Sequence, residues 1–154
     1  MGDSQSKSKS AVKLIKLLNA TRQEVFAAWI TAEYLKQWMC PEGNSILFVE
    51  IDVQVGGKFR IDMQRGEEVV IITGVYHEIK PPAKLAFSWM SKYTQYQDSL
   101  VTVELFERSE QTELVLTHEL LPDDDTAQGH ASGWASILSK LAAHLLSATE
   151  HRSN

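Results

Sequence analysis

The chain has 154 residues, of which 44% are hydrophobic and 23% are charged, and its formal net charge is −5. These values are typical of one globular domain, and the negative charge argues against a sequence-independent nucleic-acid binder, which needs a basic surface. Cys40 is the single cysteine, no apolar run approaches the roughly 18 residues that span a bilayer, and no signal-peptide pattern opens the chain. We therefore expect a cytoplasmic protein without an internal disulfide, and neither a nucleic-acid nor a membrane partner.

The first ten residues differ in composition from the rest of the chain. They contain Ser, Lys, Gln, Gly and Asp but no hydrophobic residue after Met1, so we expect residues 1–10 to be a disordered tail. Residues 11–150 contain no internal repeat and no linker-like stretch. They are therefore expected to form a single domain.

A strand and two short helices are predicted next. Residues 12–18 alternate well enough for a first strand. Thr21-Arg22-Gln23-Glu24 has the spacing of a capping box, in which the threonine hydroxyl and the glutamate carboxylate each accept from the other residue's backbone N–H. A second helix over residues 32–39, capped by Thr31, should end before Pro41.

Six strand patterns then follow without helices between them, separated by turns, which predicts an antiparallel meander. They cover residues 45–53, 59–63, 69–79, 85–89, 101–105 and 114–118. The alternation of side chains assigns four inward-facing sets: Phe59, Ile61 and Met63; Leu85, Phe87 and Trp89; Val101, Val103 and Leu105; Leu114, Leu116 and His118. The strand over residues 45–53 has hydrophobic residues on both faces, so its inward set stays open.

Residues 125–149 form the longest predicted element, an amphipathic helix. Its apolar stripe contains His130, Trp134, Ile137, Leu138, Leu141 and Leu145. Three aspartates, residues 123–125, precede it and are expected to cap its free N–H groups. A helix about 36 Å long needs a broad surface to cover such a stripe. The pattern predicts an α+β fold in which one curved antiparallel sheet of six or seven strands grips this helix.

Several motifs, taken together and in this order, resemble one known family. They are Thr21-Arg22-Gln23-Glu24-Val25-Phe26 with Trp29, Leu35-Lys36-Gln37-Trp38 with Pro41, Gly56-Gly57-Lys58-Phe59, Glu78-Ile79-Lys80-Pro81-Pro82, Leu85-Ala86-Phe87-Ser88-Trp89, Thr117-His118, and His130 with Gly133-Trp134. The chain resembles the family named after the activator of the ninety-kilodalton heat-shock protein's ATPase, within the START-like, or SRPBCC, superfamily. The resemblance implies a stand-alone member with the helix-grip fold shared by START-like and pollen-allergen-like proteins. The family often has a tryptophan and a glycine where this chain has Met39 and Cys40.

A curved sheet cannot contact a straight helix along its whole length, so we expect an internal cavity between them. The expected lining consists of Trp38, Phe59, Ile61, Phe87, Trp89, Val103, Leu116, Trp134 and Leu138, with His118 and His130 as polar groups. Such a wall suits a small apolar molecule with one polar handle. The alternative for the two histidines is that both are hydrogen-bonded residues of a solid core. The histidine spacings give no metal site and no nucleophile is paired with a base, so we predict no metal, no cofactor and no catalytic residue.

Three functions remain open at this point. The sequence favours non-catalytic binding of a small hydrophobic ligand, by a carrier or a sensor. The resemblance also implies a co-chaperone-like module that binds a heat-shock protein, and, more weakly, a cyclase-like or hydrolase-like enzyme. Asp52 and Glu78 would be acid–base candidates only if they faced inward. We expect them instead to face water and to pair with a cation such as Arg60.

Overall fold

A seven-stranded antiparallel sheet forms the frame of the protein. The computed structural model describes residues 9–153. The elements are β1 Ser10–Leu18, α1 Arg22–Trp29, α2 Ala32–Trp38, β2 Ser45–Ile51, β3 Lys58–Arg65, β4 Glu68–Lys80, β5 Lys84–Trp89, a 3₁₀ helix Lys92–Thr94, β6 Ser99–Arg108, β7 Gln111–Leu121 and α3 Asp124–Ser153. The strands lie in the order β1-β7-β6-β5-β4-β3-β2. The predicted helix-grip architecture is confirmed.

The predicted tail lies outside the described residues, except for Lys9 and Ser10. Ser10 is the first residue of β1, where it is paired with Leu121 of β7. Its hydroxyl also donates to the carboxylate of Asp124 at the start of α3. Ser10 was therefore wrongly assigned to the tail, because strand pairing begins one residue before Ala11, the first hydrophobic residue of β1.

The two short helices begin as predicted, but only one has the predicted cap. The Glu24 N–H donates to Thr21 Oγ1 at 3.1 Å, and the Thr21 N–H donates to the Glu24 carboxylate at 2.9 Å, so the capping box is present. Thr31 precedes α2, but its hydroxyl makes no cap bond. The Thr31 hydroxyl donates instead to the carbonyl of Ala27 at 2.6 Å. The Thr31 hydroxyl therefore satisfies a backbone carbonyl near the end of α1 rather than a backbone N–H at the start of α2.

The four predicted inward-facing sets are all buried, and they form one core with the apolar stripe of α3. β2, which the sequence left open, contains a bulge between Ile46 and Phe48. After this bulge Val49 faces the core, whereas Phe48 is 42% exposed on the outer face of the sheet. A bulge changes which residues face inward, and this explains the mixed pattern of β2.

α3 covers the inner face of the sheet. Trp134, Leu138 and Leu141 are each no more than 2% exposed. The Thr126 N–H donates to Asp123 Oδ1 at 2.8 Å, which confirms an aspartate cap at the helix start. No helix within residues 9–153 is long and apolar enough to cross a membrane.

The loop after α2 is fixed to α3 by a hydrogen bond that sequence periodicity did not indicate. The Glu42 N–H donates to Ser136 Oγ at 2.7 Å. Ser136 lies on a flank of α3 and is half-buried. The bond holds the loop that contains Pro41 against the helix, and this loop becomes one wall of the candidate site.

We expect Trp134→Ala to lower the free energy of unfolding by about 3–5 kcal/mol, because it empties a large aromatic position in the core. Ser139→Ala, on the exposed side of the same helix, should change it by less than about 0.5 kcal/mol. Urea titrations of both variants measure the difference. Equal effects would contradict a helix held by the sheet.

Candidate functional site

A cavity of about 410 Å³ lies between the first half of α3 and the sheet. β3, β4 and β5 supply one wall, α3 supplies the opposite wall, and the loop after α2 and the 3₁₀ helix close the sides. It is lined by Met39, Pro41, Met63, Arg65, Val70, Ile72, Trp89, Ser91, Tyr93, Asp125, Thr126, Gly129, His130, Gly133, Trp134 and Ile137. We call this space the main cavity.

The inner wall of the main cavity is apolar. Met63, Val70 and Ile72 contribute to it from β3 and β4, and each is no more than 5% exposed. Trp89 and Trp134 add two indole rings whose centroids are 5.0 Å apart. A ligand here would exchange water for aliphatic and aromatic side chains, which favours an apolar molecular body.

The mouth of the main cavity carries one positive and one negative side chain. Arg65, at the end of β3, and Asp125, in the first turn of α3, are both exposed. The guanidinium carbon of Arg65 lies 5.1 Å from the ring centroid of Tyr93, in a cation–π contact. The entrance therefore has no net charge that would select for a strongly anionic or cationic ligand.

His130 is a half-buried polar side chain of the cavity wall. Its Nδ1 lies 2.8 Å from the carbonyl oxygen of Thr126, and because a carbonyl only accepts, Nδ1 carries the proton. Burial lowers the pKa of His130 from its ordinary value, so the ring is neutral near pH 7. Its Nε2 is then a lone-pair acceptor, and it has no hydrogen-bond partner among the described residues.

His118 has both ring nitrogens in use. Nδ1 accepts from the Trp134 Nε1–H at 2.9 Å, so Nε2 carries the proton and donates to Ser99 Oγ at 2.7 Å. The Ser99 hydroxyl donates in turn to the Trp89 carbonyl at 2.6 Å. Burial, with a smaller contribution from nearby His130, lowers the pKa of His118 to about 3. His118 therefore positions Trp134 and is not free to bind a ligand.

A second, much smaller space of about 20 Å³ lies between the two short helices and the sheet, and we call it the inner void. It is lined by Trp29, Leu35, Met39, Ile51, Phe59, Ile61, Tyr76, Leu85, Phe87 and Trp89. Met39 and Trp89 also line the main cavity, so they separate the two spaces. Phe59 faces Gly74 across the β3–β4 pair, and a Cβ at Gly74 would lie only 2.4 Å from the Phe59 ring. Glycine is therefore needed at that position.

The predicted lining residues fall into three groups. His130, Trp134 and Trp89 line the main cavity, and Phe59, Ile61, Phe87 and Trp89 line the inner void. The remaining five are buried and line neither space: Trp38, Val103, Leu116, His118 and Leu138. They face inward as predicted, but they lie where the helices and the sheet pack directly against one another.

Sequence periodicity did not identify the rim of the main cavity. Arg65 and Tyr93 stand at the end of a strand and in the 3₁₀ helix, where alternation carries no information, and Met39, between the two spaces, directly follows α2. Asp125 was treated only as a helix cap. Met63 was assigned to the inward face and could have been included in the lining from that signal.

The carboxylates considered for acid–base chemistry lie away from the main cavity. Both line a broad depression of about 1590 Å³ on the outer face of the sheet. Glu78 pairs with Lys80 and Lys84, at 2.9 and 3.2 Å. We had expected Arg60 to pair with one of these two carboxylates. It pairs instead with Asp62, two residues along the same strand, at 2.8 Å. Among the side chains that the structure describes, residues 9–147, no group of three or more His, Cys, Asp or Glu could hold a metal ion.

Comparisons with known proteins agree with this architecture. A model of the family described as Activator of Hsp90 ATPase homolog 1-like protein matches residues 19–146. A protein of unknown function from Staphylococcus aureus has a similar structure, with a TM-score of 0.83, 20% identity, and coverage of 95% of this chain and 99% of that one. A protein from Chromobacterium violaceum gives a TM-score of 0.81 at 24% identity, with 88% and 96% coverage. The AHSA1 protein from Silicibacter pomeroyi gives 0.77 at 27% identity, with 89% and 98% coverage. A search of curated proteins found no match.

The neutral state of His118 predicts a loss of stability in acid. Its pKa is about 3 in the folded protein against an ordinary value of 6.5, so the unfolded chain binds this proton more readily between those values. The contribution to stability is constant above about pH 6.5 and falls as the pH drops, by up to about 1.4 kcal/mol per pH unit. His130, whose pKa is also lowered, acts in the same direction. Urea titrations between about pH 7 and pH 5 test this, above the range in which carboxylates of ordinary pKa titrate.

His118→Gln should reduce the slope of the free energy of unfolding against pH, because glutamine does not titrate. His77→Gln, an equivalent change at an exposed position on the outer face, serves as the control and should retain the steep slope. A slope that is the same with and without His118 would contradict the assignment.

Proposed function

This chain belongs to the family of Activator of Hsp90 ATPase homolog 1-like proteins, and we propose that it binds a small hydrophobic molecule, without catalysis, as a carrier or a sensor. The observation that carries this proposal is the main cavity, with its apolar inner wall and the open acceptor of His130. Its volume of about 410 Å³ lies within the usual range for small-molecule sites, roughly 300–1,000 Å³. A ligand that fills it gains about 25 cal/mol for each Å² of apolar surface removed from water.

The polar handle of the ligand is a hydrogen-bond donor. His130 Nε2 offers a lone pair, and its Nδ1–H already donates to Thr126. An alcohol, phenol or amide N–H would donate to the Nε2 lone pair of His130, whereas a carboxylate would place negative charge against that lone pair. Asp125 at the mouth adds a second acceptor, and Arg65 balances its charge. These features support a neutral, hydroxyl-bearing ligand.

The buried serine–histidine pair is poorly suited to catalysis. Ser99 and His118 are hydrogen-bonded, but they are only 2% and 0% exposed. Nε2 of His118 carries the proton because Nδ1 accepts from Trp134, so it has no lone pair with which to activate the Ser99 hydroxyl. That hydroxyl donates to a backbone carbonyl instead. The pair therefore supports a structural role.

A chaperone-binding module is the second candidate, and one surface observation favours it. Phe48 is 42% exposed on the outer face, and the guanidinium carbon of Arg60 lies 6.0 Å from its ring centroid. Ile71, on the neighbouring part of the same face, is 45% exposed. Exposed aromatic and arginine side chains are the residues that most often anchor protein interfaces. Strand alternation did not indicate this cluster, because the bulge in β2 determines which way Phe48 faces.

His130→Leu should separate the contribution of the polar handle to the binding affinity from that of the apolar body of the ligand. It should weaken binding of a naphthol roughly three- to tenfold, as expected for one lost hydrogen bond, and leave binding of naphthalene nearly unchanged. Isothermal titration calorimetry of both compounds measures the two affinities. His77→Leu, the same chemical change on the outer face, should alter neither. If neither compound binds the unchanged protein, and no other hydroxyl-bearing apolar compound does, the proposal fails.

The two candidate functions predict opposite results in an ATPase assay. If the main cavity is the functional site, adding this protein alone should not stimulate a heat-shock protein of the Hsp90 class. Stimulation that is lost in Phe48→Ser but retained in His130→Leu would favour the chaperone-binding function. Both substitutions lie outside the hydrogen-bond chain of His118, so folding can be checked by thermal unfolding of each variant.

A further inference from the structure

One residue that lines the inner void, Trp29, has an unsatisfied hydrogen-bond donor. Trp29 is 3% exposed, and its Nε1 is the one buried side-chain nitrogen or oxygen in the described part of the chain that lacks a hydrogen-bond partner. Trp38, beside it, has its own Nε1–H bound to the Ala28 carbonyl at 3.3 Å. A buried donor without an acceptor is unfavourable, because it has lost its hydrogen bond to water without replacing it. Such a group is expected to have a partner in the functional state.

A water molecule is a poor partner for this donor. The inner void, about 20 Å³, is just large enough for one water, but a stably buried water needs two to four polar contacts. Three lining side chains carry an N–H or O–H group: Trp29, Tyr76 and Trp89. The other lining side chains are aliphatic, aromatic or thioether groups, which offer a water no strong hydrogen bond. An acceptor attached to an apolar body suits this environment better than a water does.

The inner void adjoins the main cavity. The ring centroid of Trp29 is 6.2 Å from that of Trp134, a wall residue of the main cavity. Met39 and Trp89 stand between the two spaces and line both. Met39 is unbranched and has three rotatable side-chain bonds, so it can change rotamer at little cost and open a path. The deep end of a bound molecule can thus reach the inner void without unfolding of the sheet or of α3.

We propose that the ligand of the main cavity extends past Met39 into the inner void and ends there in a neutral oxygen that accepts from the Trp29 Nε1–H. This inference rests on the proposed function, since it assigns the deep end of the same ligand. The ligand class is a slender molecule with a hydroxyl donor at one end, an apolar body, and a ketone, ester or ether oxygen at the other. A charged group at the deep end is excluded by the cost of burying it among apolar side chains.

The test compares two synthetic probes: para-octylphenol and its analogue with a ketone on the penultimate carbon of the chain. In the unchanged protein the ketone should bind roughly three- to tenfold more tightly, as expected for one buried hydrogen bond. Proton–nitrogen NMR of the indole groups gives a second measurement. The Trp29 indole proton should move downfield with the ketone, and should not do so with the plain alkylphenol.

Two variants make the comparison specific. Trp29→Phe removes the free N–H while retaining an aromatic ring, so the ketone should lose its advantage. Trp38→Phe removes a neighbouring indole N–H that is already bound to a carbonyl, and the advantage should remain. If Trp29→Phe does not fold, the NMR measurement on the unchanged protein still decides the outcome.

The results separate the two proposals. If both probes shift the indole signals of Trp89 and Trp134, but the ketone has no advantage and leaves Trp29 unchanged, this inference fails and the proposed function stands. An advantage that persists in Trp29→Phe also overturns the inference. If neither probe shifts any indole signal, the proposed function fails as well.

Discussion

A buried chain of three hydrogen bonds determines how α3 sits on the sheet. The Trp134 indole donates to His118, His118 donates to Ser99, and Ser99 donates to the Trp89 carbonyl, so α3 is tied to β7, β6 and β5 in turn. Each donor and acceptor is used once, and the chain is complete only when His118 is neutral. Because satisfied polar groups in a core permit few alternative arrangements, this chain fixes the rotation of α3 about its own axis. His130 lies one helical turn before Trp134, and the same rotation therefore turns it toward the main cavity.

The position of the main cavity follows from the shapes of the two layers. α3 is a helix of 30 residues packed on an antiparallel sheet, and because sheets twist, the separation of the two layers is not expected to be constant along the helix. Beyond Trp134 the helix packs on the sheet through Leu138, Leu141 and Leu145, each no more than 4% exposed. Before Trp134 the main cavity separates the helix from the sheet, and its side is closed by the loop that Ser136 holds through the Glu42 N–H. The inner void has no α3 residue in its lining and lies instead between the two short helices and the sheet.

The sequence could specify which residues face inward, but not which of them border empty space. Leu116 and Trp89 lie on strands with equally clear alternation, yet Leu116 is packed solidly and Trp89 borders both spaces. The difference depends on the local distance between layers and on the volumes of side chains from distant elements, neither of which a period-two pattern contains. The bulge in β2 and the Arg60–Asp62 pair were missed for a related reason. Each depends on the register and the rotamers of particular residues rather than on the repeat of the strand.

The two histidines show how a pKa shift in the same direction accompanies different roles. Both have a lowered pKa for the same main reason, desolvation. In His118 both nitrogens of the neutral ring are hydrogen-bonded within the core, and the residue has a structural role. In His130 one nitrogen is bound to Thr126 within the same helix, and the other remains available at the cavity wall. In the proposed function, recognition in the main cavity depends on the direction of a hydrogen bond rather than on charge. The proposed contact with the Trp29 N–H, which lacks a partner among the described residues, adds a donor for the other end of the ligand, and this arrangement would give a bound molecule one favourable orientation.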